Sequence, residues 1–154
     1  MKRMLAKLMM EDCTVYLCGN GGSAANANHI ANDLLSVKVR THSLCANVAT
    51  LTAIANDFDY SEVFSRQLAV LGRERDILIA FSGSGTSRNI VKAILMARKL
   101  DMLAVLVTGA YQDVPPPILR QVQYEFQRGN NMQEAEEAQL ELGHHWMQSI
   151  RRRK

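Results

Sequence analysis

The chain has 154 residues, 47% of them hydrophobic and 21% charged, with 3 Pro and a formal net charge of +3. That length and balance describe one globular domain with a core of its own and exclude disordered, collagenous and disulfide-built classes. Arg151, Arg152, Arg153 and Lys154 account for the whole excess of charge, so the basic end reads as a solvated terminus and nucleic acid is not an expected partner. No apolar run approaches the roughly 20 residues a membrane span needs. The N-terminus lacks the apolar region and cleavage pattern of a secretory signal. Cys13, Cys18 and Cys45 are odd in number and show no C-x-x-C spacing, which predicts reduced, strand-borne thiols in a cytoplasmic protein.

In chain order, the patterning predicts a short helix over about 2–11 and a strand over about 14–18. A long helix over about 22–36 and a second strand over about 43–47 follow. Helical segments are expected around 49–56 and 60–72, then a third strand over about 76–81 and a helix over 87–99. A fourth strand over about 102–108, a weaker one over about 122–126 and a last helix over about 132–151 complete the pattern. Pro115-Pro116-Pro117 make the connection after the fourth strand irregular. Strands that alternate with helices predict a parallel sheet covered on both faces. With no repeat or linker, residues 1–154 read as one domain: N-terminal helix 1–12, α/β core 13–128 and C-terminal helix 131–151. Only about ten residues precede the first strand, too few to cover a sheet face. A longer chain or a partner subunit is expected to supply the missing cover.

Two turns stand out. Cys18-Gly19-Asn20-Gly21-Gly22-Ser23 and Phe81-Ser82-Gly83-Ser84-Gly85-Thr86-Ser87 each follow an apolar strand and open a helix. In α/β proteins a glycine turn at a helix N-terminus offers free N–H groups and the positive end of the dipole to an anion. Two such turns on parallel strands suggest a phosphorylated small molecule at the carboxyl edge of one sheet. The second turn carries the hydroxyls of Ser82, Ser84, Thr86 and Ser87, enough to satisfy a phosphate without Lys or Arg. Neither turn fits G-x-G-x-x-G, and no P-loop occurs, so no nucleotide cofactor is expected. A serine N-cap is the plainer reading of either turn alone.

His29 and Asp33 stand four residues apart on one helix face, and Glu136 and His144 lie on the last helix. Together they would form an acid/base cluster, or equally a site of two histidines and two carboxylates for zinc. On spacing alone, a solvated His–Asp contact and an ordinary acidic helix face are the plainer reading. Asn56-Asp57 end a helix near the same sheet edge and read either as a cap or as a contact to a sugar hydroxyl.

These residues carry a resemblance. Gly19-Asn20-Gly21-Gly22-Ser23-Ala24-Ala25, His29-Ile30-Ala31-Asn32-Asp33-Leu34, Ala55-Asn56-Asp57, Glu62-Val63-Phe64, Gly72 through Asp76 and Ser82-Gly83-Ser84-Gly85-Thr86-Ser87-Arg88-Asn89 resemble the SIS (sugar isomerase) domain, in its phosphoheptose isomerase branch. The resemblance implies a flavodoxin-like three-layer α/β sandwich with a five-stranded parallel sheet. It implies an aldose–ketose isomerase that converts sedoheptulose 7-phosphate to D-glycero-D-manno-heptose 7-phosphate for lipopolysaccharide heptose. It also implies a homotetramer with active sites between subunits. The phosphate loop falls on Ser82, Ser84, Thr86 and Ser87, and substrate contacts fall on Asn20, Gly21, Gly22, Ser23 and Asp57. The base position, usually a glutamate, is Asp33, and its partner is His144. With His29 and Glu136, a position often glutamine, they form a site able to hold one zinc ion per subunit. A non-catalytic relative in the same branch binds the replication initiator DnaA and lacks the acid/base pair; Asp33 and His144 here favour the enzyme. A sugar-phosphate-sensing regulator would need a fused DNA-binding domain.

Overall fold

The computed structural model describes residues 6, 8, 9, 11–110 and 120–152. The three prolines and most of the helix expected over 2–11 fall outside the described residues, although Ala6 and Leu8 are helical. The elements are β1 (Val15–Cys18), α1 (Gly22–Ser36), β2 (Thr41–Ser43), α2 (Val48–Asp57), a 3-10 turn (Tyr60–Glu62), α3 (Ser65–Leu71), β3 (Ile77–Phe81), α4 (Arg88–Lys99), β4 (Leu103–Thr108), β5 (Tyr124–Gln127) and α5 (Met132–Arg151).

The five strands form one parallel sheet in the order β2-β1-β3-β4-β5, which is the flavodoxin-like order. β1 and β3 are buried along their whole length, as strands covered on both faces must be. The crossover from β1 to β2 and that from β3 to β4 run in opposite directions across the sheet. Right-handed connections therefore put α1 and α4 on opposite faces. α5 packs beside α1, and α3 beside α4, completing three layers.

Two expected elements differ. The second strand lies at Thr41–Ser43, where it pairs with Val15–Leu17. The apolar Leu44 and Cys45 are buried in the turn that follows, so their pattern reports burial and not a ladder. The helix expected over 60–72 is divided. Asp59 Oδ1 accepts the Ser61 N–H at 2.8 Å and starts a separate 3-10 turn, and the α-helix begins only at Ser65. The three thiols are buried and unpaired, but only Cys18 lies in a strand.

Asp76 aligns the starts of β1 and β3. It is buried, and its carboxylate accepts the Thr14 N–H at 2.7 Å and the Arg73 N–H at 2.9 Å. The contact of α1 with α5 positions the last helix. Asn26 Nδ2 donates to the Glu136 carbonyl at 2.8 Å and to Gln139 Oε1 at 3.2 Å. Below this, Gly143 lies against Ile30 so closely that a Cβ would collide with that side chain. We expect Gly143→Ala to destabilise the fold by about 1–3 kcal/mol through overpacking. Urea unfolding checks this, and an unchanged midpoint would mean that the two helices separate freely.

Candidate functional site

β1 and β3 are neighbours, and Cys18 pairs with Ala80 at their carboxyl ends. The turns that follow therefore emerge side by side. The chain leaves β1 toward one sheet edge and β3 toward the other. This is a topological switch point, where open α/β sheets form their ligand crevice. A cavity of about 280 Å³ lies there, lined by Asn20, Gly21, Gly22, Ser23, Phe81, Ser82, Gly83, Ser84, Ser87, Met132 and Glu136.

The two turns are not equivalent. In the first, Gly21 takes φ 56° at the N-cap of α1, and no side chain caps the helix. Gly22 admits Glu136 from α5: a Cβ at Gly22 would collide with both carboxylate oxygens. A carboxylate thus lies at the positive end of α1 and would repel a phosphate there. In the second turn Gly85 takes φ 68°, and its N–H donates to Ser82 Oγ at 3.0 Å. Thr86 N donates to Ser84 Oγ at 3.3 Å. Ser87 is the N-cap of α4, yet its hydroxyl makes no capping bond, and the first turn of α4 has no acidic residue. The second turn is the better phosphate cradle.

His29 and Asp33 lie on α1 and His144 on α5. Asp33 Oδ2 is 3.5 Å from His29 Nε2 and 3.4 Å from His144 Nε2, and the two Nε2 atoms are 3.2 Å apart. These three groups can hold a metal ion. The fit is quantitative: a tetrahedral ion with bonds of about 2.0–2.1 Å has ligand–ligand edges of about 3.3–3.4 Å. Glu136 does not belong to this group; its carboxylate faces the first turn.

Two expected residues stand apart from the cavity lining. Asp57 is the exposed last residue of α2, where its carboxylate accepts from Asn56 Nδ2 at 2.9 Å. Thr86 is exposed, and its hydroxyl donates to Ser84 Oγ at 3.1 Å. Two residues without an expected role join the site. Asn89 pairs its amide with that of Asn20, and Tyr60 OH donates to Asn20 Oδ1 at 3.0 Å. Tyr60 carries no signal in the sequence, where the pattern places it in a continuous helix over 60–72. Its anchor is Asp59, whose carboxyl the Ser61 hydroxyl and amide hold below the usual range. Burial pushes the Cys18 thiol well up, and burial likewise raises Cys45. Both stay protonated at neutral pH and offer no thiolate nucleophile.

The family profile of the SIS domain matches residues 1–109. A phosphoheptose isomerase from Chromohalobacter salexigens is 40% identical over 113 residues, which are 70% of this chain and 57% of that protein. This chain thus spans little more than half the length of that relative. A phosphoheptose isomerase from Thermodesulfovibrio yellowstonii is 36% identical over 148 residues, 92% of this chain and 72% of its own. Among solved structures, the phosphoheptose isomerase GmhA from Neisseria gonorrhoeae aligns with a TM-score of 0.89 at 30% identity, covering 98% of this chain and 83% of that one.

The triangle of His29, Asp33 and His144 makes a prediction of its own. Calorimetric titration with zinc should give binding that His144→Ala weakens by more than the roughly 10–100-fold typical of losing an outer-shell partner. Equal affinity in wild type and variant would remove the group as a metal site.

Proposed function

This chain belongs to the SIS domain family, and on that premise we propose that it is an aldose–ketose isomerase of sugar phosphates. The proposed reaction converts sedoheptulose 7-phosphate to D-glycero-D-manno-heptose 7-phosphate, a precursor of lipopolysaccharide heptose, in the cytoplasm. One observation carries the reading. A cradle of hydroxyls and amides, with no Lys or Arg among its described lining residues, lies at the start of α1, and the middle of that helix brings His29 and Asp33 against His144 of α5. Seven residues of α1 separate Gly22 from His29, about 10 Å of helix. A ligand that engages both stations is extended, as an open-chain sugar phosphate is.

In this reading Ser82, Ser84 and Ser87 bind the phosphate, and that binding energy holds the carbonyl end in place. Thr86 and Asp57, exposed in the isolated chain, are proposed as further substrate contacts from the loop and from α2. Of Asp33 and His144, one takes a proton from the carbon beside the carbonyl. The released electron pair forms a carbon–carbon double bond, and the carbonyl oxygen gains a proton from the other group. The enediol so formed returns by protonation of the neighbouring carbon and loss of the second hydroxyl proton, giving the isomeric carbonyl. A zinc ion on His29, Asp33 and His144, one per subunit, is the alternative to that proton transfer: it would polarise the carbonyl instead, because a liganded Asp33 is a poor free base. Glu136, whose carboxylate faces the first turn, stands outside this group. The acid/base pair weighs against a non-catalytic, DnaA-binding role.

The proposed assembly is a homotetramer with active sites between subunits. α2 has no buried residue in the isolated chain, and Val48, Phe58 and Val70 are 69%, 56% and 70% exposed. Phe58 and Val70 line an apolar groove of about 630 Å³, a surface that a second copy of the chain would cover.

A coupled assay with sedoheptulose 7-phosphate tests the reading. Asp33→Asn should lower kcat by at least about 10²-fold, the lower range for a lost acid/base group. Ser84→Ala should raise KM about tenfold, the value of one charge-assisted hydrogen bond. Thermal stabilisation by the sugar phosphate without turnover would favour a binding module. For the assembly, light scattering should report four chains in the wild type and a smaller species for Val70→Glu; a monomeric wild type would contradict the tetramer.

A further inference from the structure

The amide pair that joins the two turns has a direction, and the direction reaches the ligand cavity. Asn89 is the second residue of α4 and is 3% exposed. The Ile90 N–H donates to Asn89 Oδ1 at 3.0 Å. A backbone amide can only donate, so the Asn89 carbonyl oxygen is fixed on that side. The same oxygen accepts Asn20 Nδ2 at 2.9 Å, and Asn89 Nδ2 donates to Asn20 Oδ1 at 2.7 Å. Tyr60 OH adds a second donor to Asn20 Oδ1 at 3.0 Å. Both lone pairs of that oxygen are then engaged, and one N–H of Asn20 Nδ2 remains to be used. Asn20 lines the cavity.

We propose that Asn89 is a positioning residue that holds Asn20 as a donor-only contact, so that this wall of the cavity accepts a ligand through a carbonyl or hydroxyl oxygen. Tyr60 closes the alternative by occupying the acceptor that a rotated amide would offer. The selection for an oxygen acceptor rests on the isomerase reading; the orientation of the amide does not. A flipped Asn20 would set two acceptors against each other at Asn89 and leave a buried polar group unpaired, a larger cost than one lost hydrogen bond.

A double-mutant cycle separates positioning from mere support of the turn. Asn20→Ala and Asn89→Ala should each lower kcat/KM for sedoheptulose 7-phosphate about tenfold, as loss of one oriented hydrogen bond does. The double variant should be no worse than Asn20→Ala alone. Inorganic phosphate should raise the melting temperature equally in all four proteins. Losses that multiply to about 100-fold, or a phosphate response that vanishes in Asn89→Ala, would overturn the proposal, because Asn89 would then act on its own or through the serine turn. Should Asn89→Ala not fold, the exposed Tyr60→Phe serves: a few-fold loss in the wild-type background and none beside Asn20→Ala is expected, and equal losses in both would overturn it. A wild type without turnover would defeat the isomerase reading instead. The positioning itself is then read from the Asn20 carboxamide proton resonances, protected in the wild type and exchanging in Asn89→Ala; equal protection in both would overturn it.

Discussion

The pairing of β1 with β3 is the constraint on which the site depends. With Cys18 opposite Ala80, two chain segments about sixty residues apart in sequence end their strands at one level, and their glycine turns must share a crevice. Asp76 guards this register from the other end by accepting amides from both segments. A slip of one residue would send every side chain of the strand to the opposite face and would move one turn away from the other. Asn20 and Asn89 could not then meet.

From that register the two helices that carry His29, Asp33 and His144 follow. α1 starts at the first turn, and α5 lies along it because small or shape-matched residues allow it: Gly22 beside Glu136, Asn26 beside Gln139, Gly143 beside Ile30. His144 directly follows Gly143 in the chain. The close approach that forbids a side chain at Gly143 therefore also brings the imidazole to Asp33. Packing and chemistry depend on one contact between two helices.

Much of this was legible in the sequence. Strand and glycine turns were readable because apolar runs ending in glycine and serine have few other meanings, and α1 and α5 begin and end at the expected residues. The resemblance to the SIS domain named Asn20, Gly21, Gly22, Ser23, Ser82, Ser84 and Ser87, which line the cavity, and also Asp57 and Thr86, which do not. What was hidden depended on distance in space. Thr41–Ser43 form a strand by pairing with β1, although their composition is polar. The 3-10 turn at Tyr60 arises from a side-chain cap by Asp59, which no periodicity reveals. Glu136 and His144 share a helix, yet the structure sends one to the first turn and the other to Asp33, because the partner helix and not the spacing decides where each side chain ends. The amide pair of Asn20 and Asn89 joins two motifs that a linear reading treats separately.

The central claim is that a proton leaves and re-enters carbon at this site. Incubation of the protein with sedoheptulose 7-phosphate in deuterium oxide, followed by proton NMR of the sugar, measures it directly. Deuterium is expected at the former carbonyl carbon of the aldose product and, by the reverse step, at the terminal carbon beside the ketose carbonyl, entering alongside isomerisation and lost in Asp33→Asn. A sugar that binds and stabilises the protein but acquires no deuterium and no new isomer would contradict it.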